Sequence, residues 1–265
     1  MLVALLLSSS AFSESAIIWQ GSWQQGALLL GQIDPDHSIS FAGEQIKTTT
    51  DGYFLFGLGR NAQGPSRFTV SSPKGVVEVQ YPVAQRKYHI QRVEGVPQQT
   101  VNPPAEQLKR IRSDSALVRK ARREVTTSVD FLNGFIQPLN GPKTGVYGSQ
   151  RFYNGVPKSP HYGIDYAAPT GSKVIAPAAG IVRLAHRDLF YSGGTLIIDH
   201  GHGLSSSFLH LSDILVSEGS RVERGDSIAL VGATGRSTGP HLDWRMNWRD
   251  VRVDPELVMK ALPAQ

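Results

Sequence analysis

The chain contains no cysteine. Disulfide bridges, cysteine-ligated zinc sites and a cysteine nucleophile are therefore excluded together. It also lacks an apolar run of the roughly 20 residues that a membrane-spanning helix needs, so no transmembrane segment is expected in the mature chain. No internal repeat is found. No basic stretch interleaved with aromatic residues marks a nucleic-acid surface, so the formal net charge of +5 points to some other anionic polymer or surface. One further absence lies at the start. No Lys or Arg precedes the apolar run Leu2 to Leu7. That run and the small-x-small triplet Ala11-Phe12-Ser13 otherwise have the form of an export signal over residues 1–13, with the mature chain beginning near Glu14. The missing charge makes it an atypical signal, or one whose true start lies upstream.

Glycine (27) and proline (16) are plentiful, which favours many short strands and tight turns over long helices. Residues 14–98 carry short alternating or apolar runs such as "GALLLGQI", "GYFLFGLG", "RFTVSS" and "GVVEVQYPV", punctuated by Gly, Pro, Asn and Asp. They predict a small antiparallel β-sandwich. His37 and His89 stand alone there and are read as surface or structural histidines.

Residues 99–134 have a different texture and predict a helical linker. Asn102 suits an N-cap and Pro103 the first helical position. Leu108, Ile111, Val118, Val125, Val129 and Leu132 recur at helical steps, and Gly134 is a plausible stop. "SDS" near residue 114 could divide the helix. Lys109, Arg110, Arg112, Arg119, Lys120, Arg122 and Arg123 crowd its polar face. They form either a solvated face or a contact with an anionic surface.

Residues 135–265 return to a glycine-rich β texture and hold six histidines. His186, His200 and His202 are read as structural, the last two on a hairpin tip. "SPHYGID" separates His161 from Asp165 by four residues. A straight strand would hold those side chains about 13 Å apart, so a shared ion requires a bent or bulged strand. Strict alternation in "FLHLS" places His210 on the face of Phe208, with Leu209 and Leu211 opposite. In "TGPHLDW", His241 and Asp243 are two apart, which in an extended segment gives them one face. A catalytic zinc site has three protein ligands and water. His161, Asp165 and Asp243 could supply the three, with His210 and His241 as two further imidazoles able to move a proton.

"HYGIDYAAPTGSKVIAPAAGIV", "GTLIIDHGHGLSSSFLHLS", "VERGDSIALVGATGRSTGPHLDW" and "RVDPEL", in this order, resemble the lysostaphin/LytM family of zinc metallopeptidases across roughly residues 135–260. The resemblance implies a compact antiparallel β peptidase domain with a groove, and hydrolysis of peptide cross-links in peptidoglycan. By position it implies His161 and Asp165 as zinc ligands and His210 and His241 as catalytic histidines. It also implies the exported life of a periplasmic or cell-envelope protein that acts on peptidoglycan peptide stems. Asp243 departs from the pattern, since a third ligand histidine is usual there. Two carboxylates neutralise Zn²⁺, so a less positive centre and a higher pKa for its water are expected. A harder donor set also admits Mn²⁺ as an alternative ion. The competing reading is a degenerate, non-catalytic module that binds peptidoglycan or regulates cell-wall amidases.

Overall fold

The structure, a computed structural model, describes residues 17–94 and 104–264. The expected export signal and the Asn102-Pro103 helix start lie outside these residues. Among the described residues no helix is long and apolar enough to cross a membrane.

The first half is built from β1 (Ile18–Gln20), β2 (Leu28–Gln32), β3 (Ser38–Phe41), β4 (Glu44–Ile46), β5 (Tyr53–Gly57), β6 (Ser66–Ser72), β7 (Gly75–Tyr81) and β8 (Ile90–Val93). Two antiparallel sheets result, ordered β1-β2-β5 and β4-β3-β6-β7. Aromatic rings join them. Trp19 meets Phe54 at 5.1 Å and Phe68 at 5.5 Å, and Phe56 meets Phe68 at 4.8 Å and Phe41 at 4.7 Å. Each such pair contributes about 0.5–1.5 kcal/mol beyond the area it buries. Gly31 makes room for the cluster, since a Cβ there would lie 2.2 Å from the Phe54 ring.

The second half holds β9 (Lys143–Gly145), β10 (Gln150–Tyr153), β11 (Val156–Pro157), β12 (Gly163–Ala167), β13 (Lys173–Ile175), β14 (Gly180–Leu189), β15 (Gly193–Asp199), β16 (Leu204–Leu211), β17 (Asp213–Ile214), β18 (Arg221–Val222), β19 (Ser227–Leu230), β20 (His241–Trp248) and β21 (Val251–Val253). The main sheet runs β18-β14-β15-β16-β20-β12-β9, with β21 paired to β20, and a small sheet runs β13-β19-β17. The fold is thus mostly β, as the composition predicts.

The halves share one core. β8 pairs in parallel with β10, Ile90 opposite Gln150. Phe56 meets Trp248 at 5.6 Å, and a single cluster of buried side chains runs from Ile17 to Leu262. On β20 every second residue, Leu242, Trp244, Met246 and Trp248, enters that core. Trp244 is fully buried. At about 25 cal/mol per Å² its roughly 150–250 Å² stabilises the fold by at most about 4–6 kcal/mol. The alternate residues, His241, Asp243, Arg245 and Asn247, are left to the opposite face.

Helix α1 (Ala105–Arg123) is shorter than the apolar periodicity suggests and passes through "SDS" without a break. Val118 and Ala121 pack on Leu184, Leu189 and Ile197 of the main sheet. Val125 and Val129 lie beyond the helix and are exposed, as is Leu108. The helix stops because the next segment docks as extended chain. The Thr126 carbonyl accepts from His202 N at 3.0 Å, and the Thr126 hydroxyl donates to Asp199 Oδ2 at 2.8 Å. Gly134 does terminate a helical turn, but it is the 3-10 turn Asp130–Asn133, where it adopts φ 76°. A short helix α2 (Pro255–Ala261) follows β21, capped by Asp254, whose carboxylate accepts from Glu256 N at 3.0 Å.

Candidate active site

Two antiparallel strands carry the carboxylates. β12 pairs with β20 so that Asp165 lies directly opposite Asp243. Glycines on flanking positions leave space for both. A Cβ at Gly163 would lie 2.6 Å from Asp243 Oδ1, and one at Gly145 would lie 2.1 Å from Asp165 Oδ2.

His161 reaches the pair differently from the expected bulged strand. It precedes β12 and is fixed by backbone. Its N–H donates to Ser149 O at 2.9 Å and its carbonyl accepts from Gly148 N at 2.7 Å. The irregularity in β12 falls after Asp165, not between the two side chains. His161 Nε2 stands 3.0 Å from Asp165 Oδ1. One ligand atom from each of His161, Asp165 and Asp243 lies within 4.8 Å of the others, and all three residues are buried.

The donor set fits a metal ion. Neither ring nitrogen of His161 has a hydrogen-bond partner, nor does Asp165 Oδ1, although all three atoms are buried. An unsatisfied buried polar group costs about 1–3 kcal/mol, and a shared cation satisfies the imidazole and the carboxylate together. Two carboxylates and an imidazole form a legitimate zinc set.

His210 and His241 stand beside this group, with ring centroids 4.9 Å apart. His210 Nδ1 is 2.8 Å from Thr234 O, and His241 Nδ1 is 2.8 Å from Gly239 O. A carbonyl only accepts, so Nδ1 carries the proton in each neutral ring and Nε2 keeps its lone pair. Burial lowers the His210 pKa, and Asp243 and the Thr234 carbonyl only partly offset it. That keeps the ring in its proton-accepting form. Alternation in "FLHLS" fails here. β16 pairs Leu209 with Asp243 and Phe208 with Trp244, so Phe208 faces the core. His210 adopts φ 64° at the point where the β15–β16 register shifts. This bulge takes its ring off the core side and brings it to His241.

Two arginines went unread in the sequence. Arg245 grips Asp243, Nη2 to Oδ2 at 2.5 Å and Nε to Oδ1 at 2.9 Å. Arg151 donates to Asp165 Oδ2 at 3.1 Å. Burial opposes ionisation of Asp243. Arg245, with His161 and His210, more than offsets it and holds the carboxyl well below the usual carboxylate range. The period of two along "HLDWR" was the available signal for Arg245. No local pattern links Arg151 to Asp165.

The remaining histidines are structural or peripheral. His200 is wholly buried, with Nδ1 2.8 Å from Ala179 O and Nε2 2.9 Å from Ser206 Oγ. His202 Nδ1 lies 3.3 Å from Lys47 O. His186 accepts from Asp188 N at 3.2 Å at the surface. His37 pairs with its neighbour Asp36 at 3.3 Å.

The family model for peptidase family M23 matches residues 159–255, a stretch that holds all five residues of this cluster. The chain carries a peptidase family M23 domain. The M23 domain and its surroundings are 43% identical over 144 residues to the peptidoglycan DD-endopeptidase ShyB of Vibrio cholerae serotype O1, covering 54% of this chain and 29% of that protein. They are 43% identical over 103 residues to the DD-carboxypeptidase/endopeptidase Mpg of Neisseria meningitidis serogroup B, covering 39% of this chain and 23% of that one. The chain therefore spans under a third of the length of these curated relatives. Similarity to a solved M23 peptidase structure from Pseudomonas aeruginosa extends well beyond the M23 stretch. It covers 92% of this chain and 97% of that one, at a TM-score of 0.70 and 29% identity.

Proposed function

We propose that the protein is a zinc-dependent endopeptidase of peptidoglycan, acting on peptide stems in the cell envelope. The observation that carries this reading is His161, a buried imidazole with no hydrogen bond at either nitrogen, whose Nε2 stands 3.0 Å from Asp165 Oδ1, an oxygen that also lacks a hydrogen bond. His161, Asp165 and Asp243 would hold the ion, with Mn²⁺ as a second candidate for this oxygen-rich set. When bound, the ion supplies a Lewis acid that polarises the scissile carbonyl and acidifies water.

The chain's own residues do the rest. Nε2 of His210 or His241 takes the proton of the attacking water, and the same pair returns it to the leaving amine. Thr234 and Gly239 hold the rings in the tautomer that this requires. Arg245 and Arg151 bring positive charge against the two carboxylates. The expectation of a weakly polarising centre, drawn from ligand charges alone, is thereby offset. The exposed cations of α1 (Lys109, Arg112, Lys120 and Arg123) suit contact with an anionic envelope surface.

A second reading has its own support. Arg245 and Arg151 already pair with both acidic residues, so the cluster can persist without metal as a binding module. Digestion of purified sacculi with the full chain, with Zn²⁺ or after chelation, separates the two. Release of cross-link fragments only with metal, identified by mass, supports the peptidase. Binding without release in both conditions overturns it.

A further inference from the structure

A groove of about 390 Å³ opens between α1 and the site-bearing face of the main sheet. Arg119, Arg122, Arg245 and Arg252 line it, and Asp114 is its only acidic residue. Asp114 is already engaged, accepting from Phe190 N at 2.7 Å. Arg245 is committed to Asp243. Arg122 donates Nη2 to the Ser207 hydroxyl at 3.0 Å, while its Nε is buried without a partner. Arg252 stacks over the Tyr162 ring at 4.5 Å. Among the described residues no carboxylate lies within ion-pair distance of Arg122 or Arg252.

Gathering like charges in a half-buried groove is unfavourable on its own. Burial, with repulsion from Arg252 and Arg245, holds the Arg122 guanidinium down to about 9. Burial and Arg245 likewise lower Arg252. Such an arrangement is stabilised by an anion, and a planar guanidinium suits a carboxylate through paired hydrogen bonds. The groove reaches the metal-binding group through Arg245, which touches Asp243. A bound carboxylate would therefore sit close to the scissile bond.

We infer that Arg122 and Arg252 form a subsite for a free carboxylate of the substrate peptide, next to the bond being cut, with Arg245 linking that subsite to Asp243. This rests on the peptidase reading above and adds a selectivity to it. Part of the subsite comes from α1, outside the residues matched to the M23 family.

The test uses the full chain and three synthetic cross-linked stem-peptide dimers of one sequence. One has all carboxylates free, one has a C-terminal carboxamide, and one has the side-chain carboxylate amidated. Calorimetry with metal-free protein reads binding, and hydrolysis with Zn²⁺ reads KM and kcat. One of the two amides should bind roughly tenfold more weakly than the free acid, the loss of one charge-assisted pair, and which amide it is identifies the carboxylate. Arg122→Gln and Arg252→Gln should each reproduce that loss for the free acid, raise KM with kcat within about twofold, and leave binding of that amide unchanged. Arg122→Lys should restore part of it. Thermal melts alongside confirm that the variants are folded. Equal binding of all three peptides, or folded glutamine variants that discriminate like the wild type, would overturn the subsite. Discrimination in binding with no hydrolysis of any peptide would support the subsite while removing the peptidase reading.

Discussion

Histidines gather at two places along the main sheet, the turn after β15 and the strands β12 and β20, and they differ in what their nitrogens touch. In the turn Asp199–Gly203, His200 has both ring nitrogens matched to protein atoms. Beside β12 and β20, His210 and His241 bond the protein through Nδ1 alone, and His161 through neither nitrogen. Buried histidines occur at both places, so burial alone does not distinguish the candidate site. What sets the candidate site apart is His161, buried with neither ring nitrogen hydrogen-bonded to the protein. A histidine whose hydrogen-bonding capacity is spent within the fold holds the fold together.

The comparison can be broken by substitution. The largest effect is expected at the site. His161→Ala and Asp165→Asn should abolish bound metal, measured by elemental analysis. His210→Ala should cut turnover by about 10²–10⁴-fold with metal retained, as for loss of a general base or acid. Equal metal content in wild type and His161→Ala would remove His161 from the donor set.

Arg245→Met comes next. Breaking a buried ion pair by removing one partner costs about 3–5 kcal/mol, to be read from urea midpoints of chelator-treated protein. The Asp243 carboxyl lies below its ordinary value in the fold. Its pairing therefore stabilises the protein above the unfolded carboxylate pKa of about 3.9, and that stability is lost as pH falls below it. The variant should lose less stability than wild type between neutral and acid pH. An unchanged acid profile would show that the pair does not set it.

His200→Ala should cost about 2–4 kcal/mol, from a cavity and two stranded partners, with metal content unchanged. Loss of metal from the folded variant would erase the contrast between the two places. His37→Gln, half-buried in the turn beside exposed Asp36, should cost less than His200→Ala, under about 1 kcal/mol.

Much of this was legible in the sequence, for reasons particular to each segment. The β-rich halves showed through short runs and glycine punctuation, and "HLDW" showed a shared face for His241 and Asp243 because β20 is regular there. The failures have causes too. His210 defeats alternation because a left-handed bulge residue turns it, and φ is not written in the pattern "FLHLS". The helical period ran on to Val129 because apolar spacing does not record that Thr126 is drawn away to Asp199 and His202. Arg151 meets Asp165 across 14 residues by tertiary placement alone. Ligand charges counted without Arg151 and Arg245 described a different electrostatic site.

Trp248 stands on the strand that also carries His241 and Asp243, and its indole rests on Phe56 and Gly57 from the other half of the chain. Inheritance follows from that. A gene fusion that carried residues 135–265 into a new protein would transmit every proposed donor's position, yet deliver β20 with one end unsupported. The recipient would then have to supply a new floor for the Trp248 indole.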